Sequence, residues 1–169
     1  MKKKDYEVID NFLEKEDFEN IKNFMMDPDF PWYWNDGVVT AENDKKHQFQ
    51  FTHVFYFASL PSSTFFNILS PILLKINAIS LIKVKANLNT RAEVLFEHGF
   101  HTDFTNPPSN QRTAVFYLNN NNGYTLFEDG TKIESKENRL VSFKSSIKHT
   151  GSTCTDTNRR VLINFNYIV

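Results

Sequence analysis

From Ser80 to the C-terminus the sequence repeats with a period of two. Ile82, Val84, Ala86 and Leu88 alternate with Lys83, Lys85 and Asn87, and further short runs cover 112–118, 124–128, 132–134, 139–143, 147–149 and 160–168. Clusters rich in Asn, Gly and Ser separate the runs; Asn119, Asn120, Asn121 and Asn122 followed by Gly123 make the clearest tight turn. In a strand, successive side chains point to opposite faces, so each run has one face that must be covered. Many short strands gathered in one half of a chain close into a sandwich or barrel.

The first half supplies the cover. Residues 6–9 read as a short strand, and 15–26 carry Phe18, Ile21 and Met25 at helical spacing before Asp27-Pro28 stops the pattern. Residues 63–79 place Phe66, Leu69, Leu73, Ile76 and Ile79 on one side, with a kink or break expected at Pro71. Between them, 47–58 reads as a half-buried strand with Phe49, Phe51, Phe55 and Phe57 on one face and Gln48, Gln50, Thr52 and Tyr56 on the other. Two helices with one apolar face each need a sheet to lie on, which makes the expected class α+β. A length of 169 residues suits one domain, with 1–79 as helix-rich support and 80–169 as the strand core.

Composition narrows the partners. The apolar content of 40% excludes general disorder, and no apolar run is long enough to span a membrane. The Met-Lys-Lys-Lys start lacks the apolar stretch of a secretory signal and is expected to be a solvated tail. Cys154 stands alone, which excludes an intramolecular disulfide and a cysteine-only zinc site and points to a reducing, cytoplasmic compartment. Nineteen basic against twenty acidic side chains give no general attraction for nucleic acid or anionic lipid.

The residues with the most chemistry are His101-Thr102-Asp103, beside Gly99 and the broken loop 105–111 with Pro107-Pro108. On a strand, His101 and Asp103 share a face, and one further histidine from a neighbouring strand completes a two-histidine, one-carboxylate set. Such a set with open positions is the arrangement of non-haem Fe(II) oxygenases. His149, 46 residues beyond Asp103 and opening another turn-rich segment, is the candidate. His98 falls on the opposite face by the same period and reads as a solvated loop histidine; His47 and His53 read as structural. The segment around Trp32, Tyr33 and Trp34 is either aromatic packing over the core or a lip over a cleft.

From about Leu81 onward the chain resembles the Fe(II)/2-oxoglutarate-dependent oxygenases, in particular the prolyl 4-hydroxylase-like branch. The resemblance rests on ordered motifs. After His-x-Asp comes Ala114-Val115-Phe116-Tyr117-Leu118-Asn119, then Gly123-Tyr124-Thr125-Leu126-Phe127 with Tyr124 where a second glycine is usual, then Arg139-Leu140-Val141-Ser142-Phe143, His149 and a basic residue. The opening Val8-Ile9-Asp10-Asn11-Phe12-Leu13 followed by a helix is similar to that group as well. The implied fold is a double-stranded β-helix, or jelly roll, with helices packed on one sheet.

The resemblance implies a dioxygenase that uses Fe(II), 2-oxoglutarate and O2, hydroxylates a substrate C–H bond and releases succinate and CO2. It implies iron ligation by His101, Asp103 and His149. The distal carboxylate of 2-oxoglutarate requires a fixed cationic fork, for which Arg159 and Arg160 compete. Arg160 shares its face with Leu162, Asn164 and Asn166, whereas Arg159 shares one with Val161, Ile163, Phe165 and Tyr167. A helix-covered face should be the apolar one, which favours Arg160. Tyr117 takes the family position whose phenol reaches the co-substrate, while Asn87 and Asn89 are only candidates for the contact on the preceding strand. Trp32, Tyr33 and Trp34 are substrate candidates, the substrate being a prolyl or other amino-acid residue or a small molecule. The rival readings are a non-enzymatic jelly-roll binding or structural domain and a cupin-type metalloenzyme that does not use 2-oxoglutarate.

Overall fold

A computed structural model describes residues 5–39 and 49–169. The Met-Lys-Lys-Lys start, His47, Gln48 and positions 40–46 lie outside the described residues. In chain order the elements are β1 (Tyr6–Ile9), α1 (Lys15–Met26), β2 (Tyr33–Asn35), β3 (Gln50–Phe57), β4 (Leu60–Pro61), a 3₁₀ turn (Phe66–Leu69) running into α2 (Ser70–Ile76), β5 (Ser80–Thr90), β6 (Gln111–Tyr117), β7 (Tyr124–Phe127), β8 (Lys132–Glu134), β9 (Arg139–Lys144), β10 (His149–Gly151) and β11 (Arg159–Ile168). The larger sheet runs β1-β9-β6-β11-β5-β3-β2 with β4 attached to β3, and a smaller one runs β10-β7-β8; the pairings are antiparallel.

The alternation along β5, β6 and β11 divides the interior into two cores. Phe18, Ile21 and Met25 of α1 and Ile72 of α2 pack with Val84, Ala86, Phe116, Ile163 and Phe165 on one face of the larger sheet. Val115, Tyr117, Val141, Phe143 and Leu162 on the other face meet Phe127 and Ile133 of the smaller sheet. Burying such side chains stabilises by about 1.5–3 kcal/mol each, so both faces are held by the hydrophobic effect. The architecture is a double-stranded β-helix with its helices on one sheet.

Five local expectations differ. A bulge between Val54 and Tyr56 breaks the alternation of β3, so Phe55 is fully buried while Phe57 is 56% exposed. Gln50 and Thr52 are buried, because their face lies over the concave side of the sheet. Pro71 sits in the first turn of α2, where its missing N–H costs nothing, so the break falls at the 3₁₀ junction upstream. Asn77 in the left-handed conformation ends α2, leaving Ile79 outside the helix and exposed. The strand expected at 147–149 begins instead at His149 and ends at Gly151.

Candidate metal and anion site

Between the sheets lies a cavity of about 310 Å³. His101 and His149 meet there by a single antiparallel bridge: each backbone N–H donates to the other's carbonyl, at 3.0 and 2.9 Å. Directly opposed residues of an antiparallel pair project to one face, and the two imidazole centroids stand 4.7 Å apart. Asp103 follows in a bend rather than a strand, so it arrives by a turn of the chain and not by the expected strand alternation. The ligand atoms of the three residues lie within 4.8 Å of one another.

Each member is held from outside. His101 Nδ1 lies 3.1 Å from the Gly99 carbonyl and His149 Nδ1 lies 3.2 Å from that of Ile147. A carbonyl only accepts, so both Nδ1 atoms carry the proton and both Nε2 atoms present a lone pair. Asp103 Oδ2 accepts from Asn166 Nδ2 at 2.7 Å and from Thr113 Oγ1 at 3.2 Å. The other oxygen, Oδ1, lies 3.8 Å from His101 Nε2 and 3.9 Å from His149 Nε2. Burial, the largest influence, lowers the His149 pKa and so favours the neutral ring. Two neutral nitrogens and one carboxylate oxygen with their remaining atoms satisfied are a donor set suited to a divalent transition metal.

Arg160 enters from β11 and is 2% exposed. Its Nε donates to Ser135 Oγ at 2.8 Å, and its guanidinium carbon lies 5.7 Å from the Tyr117 ring centroid. Nη2 has no hydrogen-bond partner, and among the described residues no carboxylate lies within ion-pair distance. Burial lowers the Arg160 pKa from its ordinary value, as expected of a cation removed from water. Arg159 points the other way and donates from Nη2 to the Met26 carbonyl at the end of α1. The fork that lines the cavity is therefore Arg160. Tyr117 lies fully buried beneath it and donates to Thr125 Oγ1 at 2.8 Å.

The cavity gathers further residues. Asn87 and Asn89 line it, each with a buried polar atom lacking a hydrogen-bond partner. Lys83 and Lys85 line the same face, and burial together with Lys83 lowers the Lys85 pKa to about 8. His98 is buried and lines the cavity with His101, contrary to the solvated position expected of it. Gly99, at a φ of 98°, lies where the pairing slips by one residue between Glu97–Ser152 and His101–His149, which breaks the strand period between the two histidines. Thr125 lines the cavity as well.

The aromatic segment divides. Register pairs Tyr33 with Thr52, and its exposed ring lies 6.1 Å from that of His53, beside a separate recess that Pro31 and Phe65 also line. Trp34 pairs with Phe51 and stacks on Phe49, and Trp32 packs against Phe30 beside the helix-side core. None of the three lines the central cavity; Val38 and Val39 of the same segment do. The loop 105–111 does not line it either. Asn166, Val38 and Val39 were not expected as site residues. For Asn166 the signal was present in its shared face with Arg160, whereas the two valines sit in irregular chain with no period to read.

No protein-family model matches the chain, and no curated protein sequence matches it. Solved structures do. A prolyl hydroxylase from Trichoplax adhaerens, in complex with a hypoxia inducible factor oxygen degradation domain peptide fragment, superposes with a TM-score of 0.68 at 12% identity, covering 97% of this chain and 84% of that one. A Pseudomonas putida prolyl-4-hydroxylase gives 0.64 at 13% identity over 96% and 91%. The non-heme alpha ketoglutarate dependent epimerase from nogalamycin biosynthesis gives 0.63 at 12% over 97% and 78%. The chain has the fold of the 2-oxoglutarate- and Fe(II)-dependent oxygenases, prolyl hydroxylases among them.

Proposed function

We propose that the protein is an Fe(II)- and 2-oxoglutarate-dependent dioxygenase that hydroxylates a substrate C–H bond. The observation that carries the reading is the convergence of His101 Nε2, His149 Nε2 and Asp103 Oδ1, with the outward atom of each side chain already hydrogen-bonded. These residues would hold the iron. The chemistry it supplies when bound is the coupling of 2-oxoglutarate decarboxylation by dioxygen to oxygen insertion into a C–H bond, with succinate and carbon dioxide as co-products.

The remaining residues position and enclose. Arg160 offers the distal carboxylate of 2-oxoglutarate a buried cation with an unfilled donor, and burial strengthens such a charge-assisted bond. Tyr117 supports the guanidinium through its ring, with Asn87 and Asn89 as further polar contacts. Val115 and Leu162 close the apolar wall and limit water at the reacting centre. Arg159 is left to its contact with α1. The whole chain, 1–169, acts as one catalytic unit in this reading. A peptide residue, as in the Trichoplax complex, is one candidate substrate, with Tyr33, the most exposed of the three aromatics, as its candidate contact.

Anaerobic titration with Fe(II) tests the proposal, followed by measurement of 2-oxoglutarate affinity and slow uncoupled succinate release. One iron per chain, co-substrate binding and succinate formation, all lost in His101→Ala, are expected. Absence of both iron and 2-oxoglutarate binding, with His101→Ala indistinguishable from the parent, defeats it. Iron binding that is indifferent to 2-oxoglutarate indicates a cupin-type enzyme instead.

A further inference from the structure

Charge in the cavity does not close on the co-substrate alone. Its charged lining residues are three cations, Lys83, Lys85 and Arg160, against the single carboxylate of Asp103. The chain as a whole carries a formal net charge of −1, so this excess is local to the cavity. A divalent metal and a dianionic 2-oxo acid cancel each other, which leaves the two positive charges of the lining uncompensated.

The cations are also separated in space. On β11 the polar face runs Arg160, Leu162, Asn164, Asn166, and register pairs Asn89 with Arg160, Lys85 with Asn164 and Lys83 with Asn166. Arg160 thus stands at one end of the floor and the lysine pair at the other, where Asn166 holds Asp103. Among the described residues neither lysine has an ion-pair partner within 4.0 Å. A side recess of about 100 Å³ opens at the lysine end and is walled by Phe57 and Phe104, with Lys83 Nζ 6.0 Å from the Phe57 ring centroid. Ammonium groups that face a cavity without a counter-charge are unfavourable until an anion meets them.

We infer that Lys83 and Lys85 form a second anion seat, distinct from Arg160, which binds an oxyanion group of the primary substrate, a carboxylate or phosphate, on the far side of the metal site. The inference rests on the oxygenase reading for the identity of the first seat. The aromatic recess takes the apolar part of the same substrate. Substrates without a negative group are poorly held, because among the described residues no ion-pair partner neutralises the lysine pair.

The test is an NMR titration of the metal-free full-length chain with inorganic phosphate and, in parallel, with acetate. Saturable shift changes in the amides around Lys83, Lys85 and Asn164 are expected. Lys83→Met/Lys85→Met should weaken the better-bound ion at least fivefold, and Lys144→Met on the surface should not; the tighter ion identifies the preferred oxyanion. Shifts confined to the surroundings of Arg160, or full affinity in the double variant, overturn the inference. Should the double variant unfold, the parent shift map decides by itself. A separate arm measures binding of an unreactive 2-oxo acid analogue with Mn(II). If the analogue binds and the lysine seat stays silent, only this inference fails; if the lysine seat responds and the analogue does not bind, it is the oxygenase reading that fails.

Discussion

Replacing Arg160 by methionine should move stability and ligand affinity in opposite directions. The guanidinium is 2% exposed, so removing it from water costs several kcal/mol in the free protein. Against that stand its hydrogen bond to Ser135, about 1.5–3 kcal/mol for a charged donor, and the contact with the Tyr117 ring, about 0.5–2 kcal/mol. The unpartnered Nη2 offsets part of this gain by about 1–3 kcal/mol. Methionine keeps most of the side-chain volume and carries no charge, so Arg160→Met is expected to leave stability unchanged or raise it by up to about 2 kcal/mol. For a chain of this size that is up to roughly 8 °C in Tm, readable in a thermal melt without ligand. Affinity for 2-oxoglutarate or an unreactive analogue, measured by calorimetry with Mn(II), should fall by about 2–5 kcal/mol, or roughly 30- to 5,000-fold. A Tm lowered by more than about 4 °C together with an affinity within threefold of the parent would refute the reasoning, since Arg160 would then be a structural cation.

Three further outcomes follow from the same geometry. Asn166→Ala removes the 2.7 Å bond that orients Asp103, and should weaken Mn(II) or Fe(II) binding about 10- to 100-fold, while Asn164→Ala leaves it near the parent value in a metal titration. Gly123→Ala would place a Cβ 2.6 Å from Arg160 Cδ and 2.7 Å from the Thr153 carbonyl; it should cost about 1–3 kcal/mol in urea unfolding and weaken the 2-oxo acid analogue as Arg160 shifts. Hydrogen bonds from Arg139 and Lys136 hold the Asp10 carboxyl down at about 2. A depressed folded pKa stabilises above the unfolded value near ~3.9 and loses that contribution as pH falls toward the folded one. Asp10→Asn should therefore flatten the loss of stability between about pH 4 and 2, by less than about 1 kcal/mol because the pair is solvent-screened.

Regular alternation made β5, β6, β7, β8, β9 and β11 legible, and the helical spacing of Phe18, Ile21 and Met25 gave α1 its bounds. The same alternation separated Arg160 from Arg159 on the two faces of β11, because one face packs under helices and the other lines a cavity. Legibility failed where the backbone leaves its period. The bulge in β3 turned Phe57 outward, and the positive φ at Gly99 brought His98 to the cavity. His101 and Asp103 come together through a bridge and a bend rather than a strand, since His101 is placed by backbone hydrogen bonds to His149 and Asp103 by Asn166 and Thr113, all from far along the chain. The lysine pair was visible as the polar half of β5, but its meaning depended on knowing which way that half faces.

The division of β5 and β11 into two faces also bears on how such a chain can change over time. Every second residue of these strands answers to the helix-side packing, and the residues between answer to the cavity. A substitution at Lys83, Lys85 or Asn164 perturbs neither core cluster, so the chemistry of the floor can drift while the fold is retained. A backbone shared with a prolyl hydroxylase and an epimerase at 12% identity fits that separation of fold from site chemistry.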